Sequence, residues 1–198
     1  GVLAAGVSAV MALILGICAA TLGKKVDSAI SFAIDTVMGI PHILLLILIS
    51  YAMGKGLKGV IAGVALTHWT SLARLIRGEV MQLRESEYIQ IAGKLGLGKW
   101  EIAKKHIVPH VLPQFIVGLV LLFPHAILHE SSITFLGFGL STEQPAIGVI
   151  LSESMRYLIM GKWWLAVFPG MMLVLTVVLF EKGGTALRQL LDPGSVHK

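Results

Sequence analysis

Long apolar runs separated by short polar segments dominate this chain of 198 residues. A helix needs about 20 mostly apolar residues to cross the hydrocarbon core of a bilayer. No stretch alternates between apolar and polar residues for long enough to indicate a transmembrane β-barrel. The pattern predicts an all-α integral membrane protein, a multi-span helical bundle whose five spans cover about residues 1–23, 34–54, 57–80, 108–135 and 163–181.

Prolines modify two of these predicted spans. Pro41 lies near the start of the second span, and it is predicted to kink the polypeptide there because its ring is incompatible with a regular helix interior. The fourth span is predicted to be interrupted at Pro109, Pro113 and Pro124. The spans and their connections together predict a single transmembrane domain over residues 1–198.

The composition supports a membrane protein and excludes several other classes. Apolar residues make up 56% of the chain, charged residues 14%, and the mean hydropathy is +0.84. Soluble domains contain about 25% charged residues, so a soluble enzyme or a disordered chain is excluded. Cys18 is the only cysteine, which excludes a disulfide framework and a cysteine-based zinc site.

The distribution of basic residues predicts the orientation of the bundle. If the loop at residues 81–108 is cytoplasmic, 12 of the 16 lysines and arginines lie on the inner side and 4 on the outer side. The positive-inside rule then predicts a cell (inner) membrane protein whose loop 81–108 and tail 182–198 are cytoplasmic and whose loop 137–162 is outside. This asymmetry explains the net charge of +5 without a nucleic-acid partner.

The loop at residues 81–108 is predicted to form two short helices. The first covers residues 87–95, with Ser86 as its N-cap and with Gly96 and Gly98 ending it. The second covers residues 99–108 and is predicted to end against Pro109. An apolar stripe at positions i, i+3, i+4 and i+7 runs along the first helix: Tyr88, Ile91, Ala92 and Leu95.

Three roles are open for this amphipathic helix. It can lie on lipid headgroups or cover the ends of its own spans. It can also dock into a groove of a soluble partner.

The same loop resembles the EAA loop of ABC importer permeases. The residues concerned are EYIQIAGKLG at 87–96 and HIVP at 106–109, in which Ala92, Gly96 and Pro109 match the family pattern while Gln90 and Ile91 replace its first two letters. The resemblance implies a coupling helix that docks in a cleft of an ATPase subunit. The implied coupling residues are Glu87, Tyr88, Gln90, Ile91, Ala92, Leu95 and Gly96.

Further stretches resemble the dipeptide, oligopeptide and nickel branch of that family, in order along the whole chain. They include ARLIRG at 73–78, FLGFG at 135–139 and FPG at 168–170. The resemblance implies the fold of a type I ABC importer permease, with a sixth span expected before Gly1. It also implies a second permease subunit, two ATPase subunits that hold ATP and Mg²⁺, and an extracytoplasmic substrate-binding protein. This chain would then bind no cofactor and would not be an enzyme.

One motif is a misleading match. Residues 93–99, GKLGLGK, fit the phosphate-binding pattern G-x4-G-K. Trp100 stands where the serine or threonine that holds Mg²⁺ would be, and no buried strand precedes the glycines. We therefore expect no ATP binding by this chain.

Ionisable residues within the spans are the candidate substrate contacts. His125 and His129 are four residues apart and share one helix face, and Glu130 follows directly. Ionisable residues inside spans usually face a cavity or a partner, and imidazole is a good ligand for nickel, copper, zinc and cobalt. Alternatively, each histidine donates a hydrogen bond to a neighbouring helix.

The motifs LTHW at 66–69 and HAILH at 125–129 resemble the nickel-importing members of the branch, whereas His42 has no such resemblance. The hypothesis is a translocation path lined by His68, His125, His129 and Glu130, with transient metal contacts at His125 and His129. The expected cargo is nickel or another transition metal, free or chelated, and di- or oligopeptides are the alternative.

Two rival classes remain open at this stage. An intramembrane hydrolase would need a nucleophile with its base, or a metal motif such as H-E-x-x-H, and His129-Glu130 is followed by no histidine at the required position. A secondary transporter would need internal repeats, and none is visible in the hydropathy pattern.

Overall fold

The computed structural model describes residues 2–191, except for the side chain of Lys99. Helices account for all regular secondary structure in these residues. Nine α-helices and one π-helical segment follow one another along these residues. Their bounds are α1 Val2–Thr21, α2 Lys24–Gly39, α3 His42–Ala52, α4 Gly56–Glu85, α5 Glu87–Lys94, α6 Lys99–Ile102, the π segment Ala103–Ile107, α7 Val108–Phe135, α8 Ile147–Leu158 and α9 Trp164–Leu191.

Four helices are long and apolar enough to cross a membrane. They are α1, α4, the continuous helix Trp100–Phe135 that contains α7, and α9. The bent pair formed by α2 and α3 raises the number of possible spans to five. The predicted all-α, multi-span fold class is therefore confirmed.

The second predicted span is divided by a sharp bend. The axes of α2 and α3 meet at 97°, where Ile40 is extended (φ −90°, ψ 136°) and Pro41 precedes the first residue of α3. A proline disfavours the helical region for the residue before it, which explains why α2 ends here. The kink predicted at Pro41 is thus present, and it makes two helices of residues 34–54.

The prolines of the fourth span do not interrupt it. Pro113 and Pro124 lie inside α7, and Pro109 is accommodated at its start directly after the π segment. The predicted helix end at Pro109 is wrong, because the helix runs unbroken from Trp100 to Phe135. A π turn shifts the backbone hydrogen bonds by one residue, and packed neighbours make prolines tolerable inside membrane helices.

The last helix extends further than predicted. Residues 182–191 continue α9 without a break, so they do not form a separate inner segment. The helix continues through Gly183 and Gly184, and Gly184 is buried against α7, where an added Cβ would lie 2.5 Å from Leu121 Cδ2. The rest of the predicted tail, residues 192–198, lies outside the described residues.

Close packing of α1 on α4 forms the centre of the bundle. Small residues of α1 at positions i, i+4, i+7 and i+11 are buried. Such residues let membrane helices approach closely, where dispersion contacts drive association. The approach is closest at Gly16, where an added Cβ would lie 2.8 Å from the Ala73 carbonyl oxygen and 3.0 Å from the Ile76 Cβ. The buried small residues are Ala5, Ala9, Ala12 and Gly16.

Two ion pairs fasten α2 to α4. The Arg77 side chain binds both carboxylate oxygens of Asp27, with Nη2 at 2.8 Å from Oδ2, and Arg74 pairs with Asp35. The bidentate pair is partly buried, which makes it the stronger of the two. Together the pairs hold α2 alongside α4 and so set the position of the bend that follows.

Substitution of Gly16 is expected to separate α1 from α4. Gly16→Ala should lower the free energy of unfolding by about 1–3 kcal/mol, because the new methyl group overlaps backbone and the branched side chain of Ile76. The measurement is the unfolding temperature of the purified protein in detergent. Gly6→Ala on the same helix is the matched control, since a Cβ there meets nothing within 4 Å. Equal effects of the two substitutions would contradict the packing described.

Candidate functional site

Three histidine rings from three helices meet inside the bundle. His42 is the first residue of α3, His68 lies in the middle of α4, and His129 lies near the end of α7. The ring centroids are 4.7 Å apart for His42 and His68, 4.5 Å for His42 and His129, and 5.0 Å for His68 and His129. Each ring offers one nitrogen that lies within 4.8 Å of the nitrogens offered by the other two. We call these three residues the histidine cluster.

The tautomer of His68 follows from its hydrogen bonds. Its Nδ1 lies 3.1 Å from the Val64 carbonyl oxygen and 3.0 Å from the Thr67 hydroxyl oxygen. The Thr67 hydroxyl donates its proton to the Gly63 carbonyl oxygen. A carbonyl oxygen only accepts, so Nδ1 of His68 carries the proton and Nε2 has a free electron pair.

Two ring nitrogens of the cluster, and an oxygen of the residue that follows His129 in sequence, are buried without a hydrogen-bond partner. They are Nε2 of His42, Nε2 of His68 and a carboxyl oxygen of Glu130. Buried polar atoms are nearly always paired in folded proteins, so unpaired atoms mark a place where a further ligand can bind. No hydrogen bond joins a ring of the cluster to another helix among residues 2–191. The geometry therefore does not support the alternative in which each histidine donates a hydrogen bond to a neighbouring helix.

The structure brings together some of the predicted path residues and adds one. His68 and His129 meet in the cluster, and Glu130 lies beside His129 in sequence with one buried, unpaired oxygen. His125 is exposed and stands outside the group, so its contact with a substrate stays a prediction.

Sequence reasoning missed His42. The available signal is the distance of His42 from the turn between α3 and α4, which form a helical hairpin. His42 is 10 residues before the end of α3, and His68 is 12 residues after the start of α4. Antiparallel neighbours place such residues at nearly the same level, because both helices rise by about 1.5 Å per residue.

A cavity of about 420 Å³ adjoins the cluster at His42. The bend between α2 and α3 forms one wall, from Val37 to His42, and α4 forms the other with Thr67, Thr70 and Ser71. Because Thr70 and Ser71 follow His68 along α4, the cavity extends from the cluster towards the end of the bundle that carries α5. The cluster therefore has an access route on that side.

The second candidate surface is the apolar stripe of α5. Tyr88, Ile91 and Leu95 are 49%, 53% and 76% exposed, whereas Ile89 is buried in the core. The neighbouring Trp100 is 81% exposed. The stripe predicted from the sequence is present, but it points away from the bundle and does not cover the ends of the spans.

Short, well-defined joints connect α5 to the long helices on either side. Ser86 alone separates α4 from α5 and is the N-cap residue of α5 as predicted, but its hydroxyl donates to the Leu83 carbonyl oxygen and makes no capping bond to an α5 amide. At the other end Gly96 adopts φ +92°, and the bonds from Gly96 N to Gly93 O and from Leu97 N to Ala92 O form a Schellman motif. Gly96 thus ends α5 as predicted, and Gly98 precedes α6.

The remaining predicted coupling residues lie on the same short helix. Glu87 is the first residue of α5 and lies at the positive end of its dipole. The amide of Gln90 donates to the Glu85 carbonyl oxygen. Besides this bond of Gln90 to the last residue of α4, the Tyr88 ring lies 6.0 Å from the His106 ring.

Comparison with known proteins identifies relatives over the whole fold. Residues 12–195 match the family described as binding-protein-dependent transport system inner membrane component. The chain is 32% identical to a dipeptide transport system permease protein of Bacillus subtilis, over 98% of this chain and 60% of the relative. It is 31% identical to a nickel transport system permease protein of Escherichia coli, over 92% of this chain and 66% of the relative.

An oligopeptide transport system permease protein of Bacillus subtilis is also 31% identical, over 98% of this chain and 63% of the relative. The chain spans about three fifths to two thirds of the length of these curated relatives. A solved structure of the MetNI methionine ABC transporter, in an inward-facing conformation, superposes with a TM-score of 0.74 at 17% identity, covering 96% of this chain and 89% of that one. The chain therefore belongs to the family of binding-protein-dependent transport system inner membrane components and has the fold of an ABC transporter permease.

Proposed function

We propose that this chain is a permease subunit of an ATP-driven importer of the cell (inner) membrane. It forms a translocation path together with a second permease subunit, and an extracytoplasmic substrate-binding protein delivers the cargo. Two ATPase subunits bind ATP and Mg²⁺ and carry out the hydrolysis, while this chain binds no cofactor. Membership of the family supports this proposal, and the excess of lysine and arginine near α5 supports a cytoplasmic position for that helix.

The exposed stripe of α5 is the observation that supports docking to an ATPase subunit. Tyr88, Ile91 and Leu95 lie on one face of a short helix, and their exposed fractions range from 49% to 76%. Amphipathic helices commonly bind by placing such a face in an apolar groove of a partner. Desolvation of these three side chains on docking favours the complex, because burial of apolar surface contributes about 25 cal/mol per Å².

The joints of α5 support its use as a lever. The helix α4 has 30 residues and the helix Trp100–Phe135 has 36 residues, and both are connected to α5 through a few residues of defined conformation. Displacement of α5 is therefore passed to both long helices instead of being absorbed by a flexible loop. Since α4 carries His68 and α7 carries His129, the same displacement moves both of those rings.

The cargo that we propose is nickel or another transition metal, free or as a small chelate. The histidine cluster supports this choice, because neutral imidazoles in a buried site bind such ions well. His68, His129 and Glu130 line the proposed path. Their contacts with the ion are transient, since a transport path must bind weakly enough to release its cargo.

Di- and oligopeptides are the second candidate cargo. The relatives favour it, because a dipeptide permease and an oligopeptide permease are among them at identities similar to that of the nickel permease. A peptide would use the cavity beside His42 and not require the imidazole nitrogens.

Tyr88→Asp is expected to release the ATPase subunits. A charge at the first position of the docked stripe should weaken that contact by about 2 kcal/mol or more, which is about thirtyfold in affinity. The measurement is co-purification of the ATPase subunits with this chain. Tyr157→Asp on α8 is the matched control, because Tyr157 is similarly exposed at 42% and should leave co-purification unchanged. Retention of the ATPase subunits by Tyr88→Asp would contradict the docking role.

Replacement of Gly96 or of Gly93 by alanine is expected to change the stability of α5 in opposite directions. Gly96→Ala places a side chain at φ +92° and should destabilise the end of α5 by about 1 kcal/mol. Gly93→Ala should stabilise the helix by a similar amount, since its Cβ meets only Ile102 Cδ1 at 3.9 Å. Hydrogen exchange of the α5 amides measures both effects, as faster exchange in the first variant and slower exchange in the second. The proposed lever loses its basis if both variants exchange like the unsubstituted protein.

The cargo is tested by uptake into proteoliposomes that contain the complete transporter and its binding protein. We expect accumulation of radioactive nickel, and a decrease in its initial rate of about tenfold or more when His68 and His129 are both replaced by alanine. His110→Ala, an exposed histidine elsewhere on α7, is the control. Accumulation of a labelled dipeptide without nickel would establish the peptide alternative instead.

A further inference from the structure

The histidine cluster contains a potential metal-binding residue, His42, that neither the family resemblance nor the sequence motifs assign to a site. We infer that His42, His68 and His129 form one three-imidazole site that binds a divalent transition metal ion such as Ni²⁺ or Co²⁺. His42 is the ligand that completes the site, and the bend between α2 and α3 holds it there. The inference rests on the proposed metal cargo for its role in transport.

The donor atoms have the chemistry that such an ion requires. Nε2 of His42 and Nε2 of His68 are buried and have no hydrogen-bond partner. Neutral imidazole nitrogens suit nickel, cobalt, copper and zinc. An ion at the centre of the cluster would satisfy both unpaired nitrogens at once, together with the nitrogen that His129 offers.

His68 is oriented as metal-binding histidines usually are. Its Nδ1–H donates to the Val64 carbonyl oxygen at 3.1 Å, which fixes the ring and directs the free electron pair of Nε2 away from its own backbone. A hydrogen bond from the second ring nitrogen to a carbonyl or carboxylate is typical of histidines that bind metals. The orientation of His68 is therefore established by the fold before any ion arrives.

The distances allow all three rings to bind one ion. Metal–nitrogen bonds of about 2.0 Å place the nitrogens about 3.3 Å apart in a tetrahedral site. The candidate nitrogens lie within 4.8 Å of one another, so each pair must approach by no more than about 1.5 Å. Rotation about the side-chain bonds of His42 and His129 covers this difference, because only His68 is fixed by a hydrogen bond among the three.

The charge balance makes the site reversible. All three ligands are neutral in the form that binds metal, and no carboxylate belongs to the group of ligand atoms found in residues 2–191. A divalent ion held by them keeps its full charge in a partly buried site, which limits its affinity. The remaining coordination positions can face the cavity of about 420 Å³ beside His42, where water or a carboxylate of a small chelator has room.

The position of the ligands on three helices ties the site to the conformation of the bundle. His42 follows the 97° bend directly, and His68 and His129 belong to the two helices joined to α5. Movement of any one of these helices removes a ligand from the other two. The three rings lie together in this arrangement of the helices, and helix movement would separate them and release the ion.

Metal binding to the purified transporter complex in detergent, without its binding protein, tests the inference. Co²⁺ is titrated and followed by its visible absorption, and Ni²⁺ is titrated by calorimetry. His42→Asn, His68→Asn and His129→Asn should each weaken binding about tenfold or more, whereas His110→Asn should bind like the unsubstituted complex. His42→Cys should retain Co²⁺ binding and add a sulfur-to-cobalt charge-transfer band, which shows that residue 42 touches the ion even if the asparagine variant is unstable.

Two results would overturn the site. One is Co²⁺ affinity that is unchanged by His42→Asn together with no charge-transfer band in His42→Cys. The other is loss of binding in His125→Asn with retention in His42→Asn, which would give the site a different third ligand. Nickel uptake distinguishes these failures from failure of the proposed function. Binding without nickel uptake leaves the site in place and refutes the cargo, whereas nickel uptake unaffected by His42→Asn supports the cargo and refutes the site.

Discussion

Close contact between α1 and α4 is the interaction on which the rest of the bundle depends. In a membrane the hydrophobic effect does not drive helices together, so association relies on short approach distances and dispersion contacts. The small residues of α1, with Gly16 against Ala73 and Ile76, provide that approach along much of α4. Helix α4 is in turn the helix that holds His68, pairs with α2 through Arg77, and leads directly into α5. Its position therefore determines where both candidate surfaces lie.

The two surfaces are mechanically related through the long helices. The exposed stripe of α5 lies at one end of α4 and of the helix Trp100–Phe135, and the histidine cluster lies between the same two helices deeper in the bundle. Because Ser86 and the Schellman motif at Gly96 leave little slack, a push on α5 has to move α4 and α7. An interaction with a soluble partner can thereby alter the geometry of a polar site about 25 Å away along α4.

Much of the fold followed from local patterns, and the exceptions have identifiable physical causes. Apolar length predicted the spanning helices, the period of the α5 stripe predicted its exposed face, and Gly96 predicted its end. The rules for proline failed at Pro109, Pro113 and Pro124, because a π turn and packed neighbours offset the missing hydrogen bonds. The Ser86 hydroxyl makes no capping hydrogen bond to α5, because it donates to the Leu83 carbonyl oxygen instead. No sequence rule predicts which of these two bonds a serine makes.

A bundle of apolar helices with a short amphipathic helix between two of them could be predicted from the sequence, because hydropathy and helical period are properties of neighbouring residues. The sequence also indicated that histidines within the spans matter, since their burial in a membrane is costly. The register of the hairpin of α3 and α4 puts His42 and His68 at a similar level, whereas their meeting with His129 depends on how the helices pack. His42, His68 and His129 are far apart in the chain, and they come together because a 97° bend and the packing of α3 and α7 on α4 place them at one level. No local pattern contains that information, since it depends on contacts between helices.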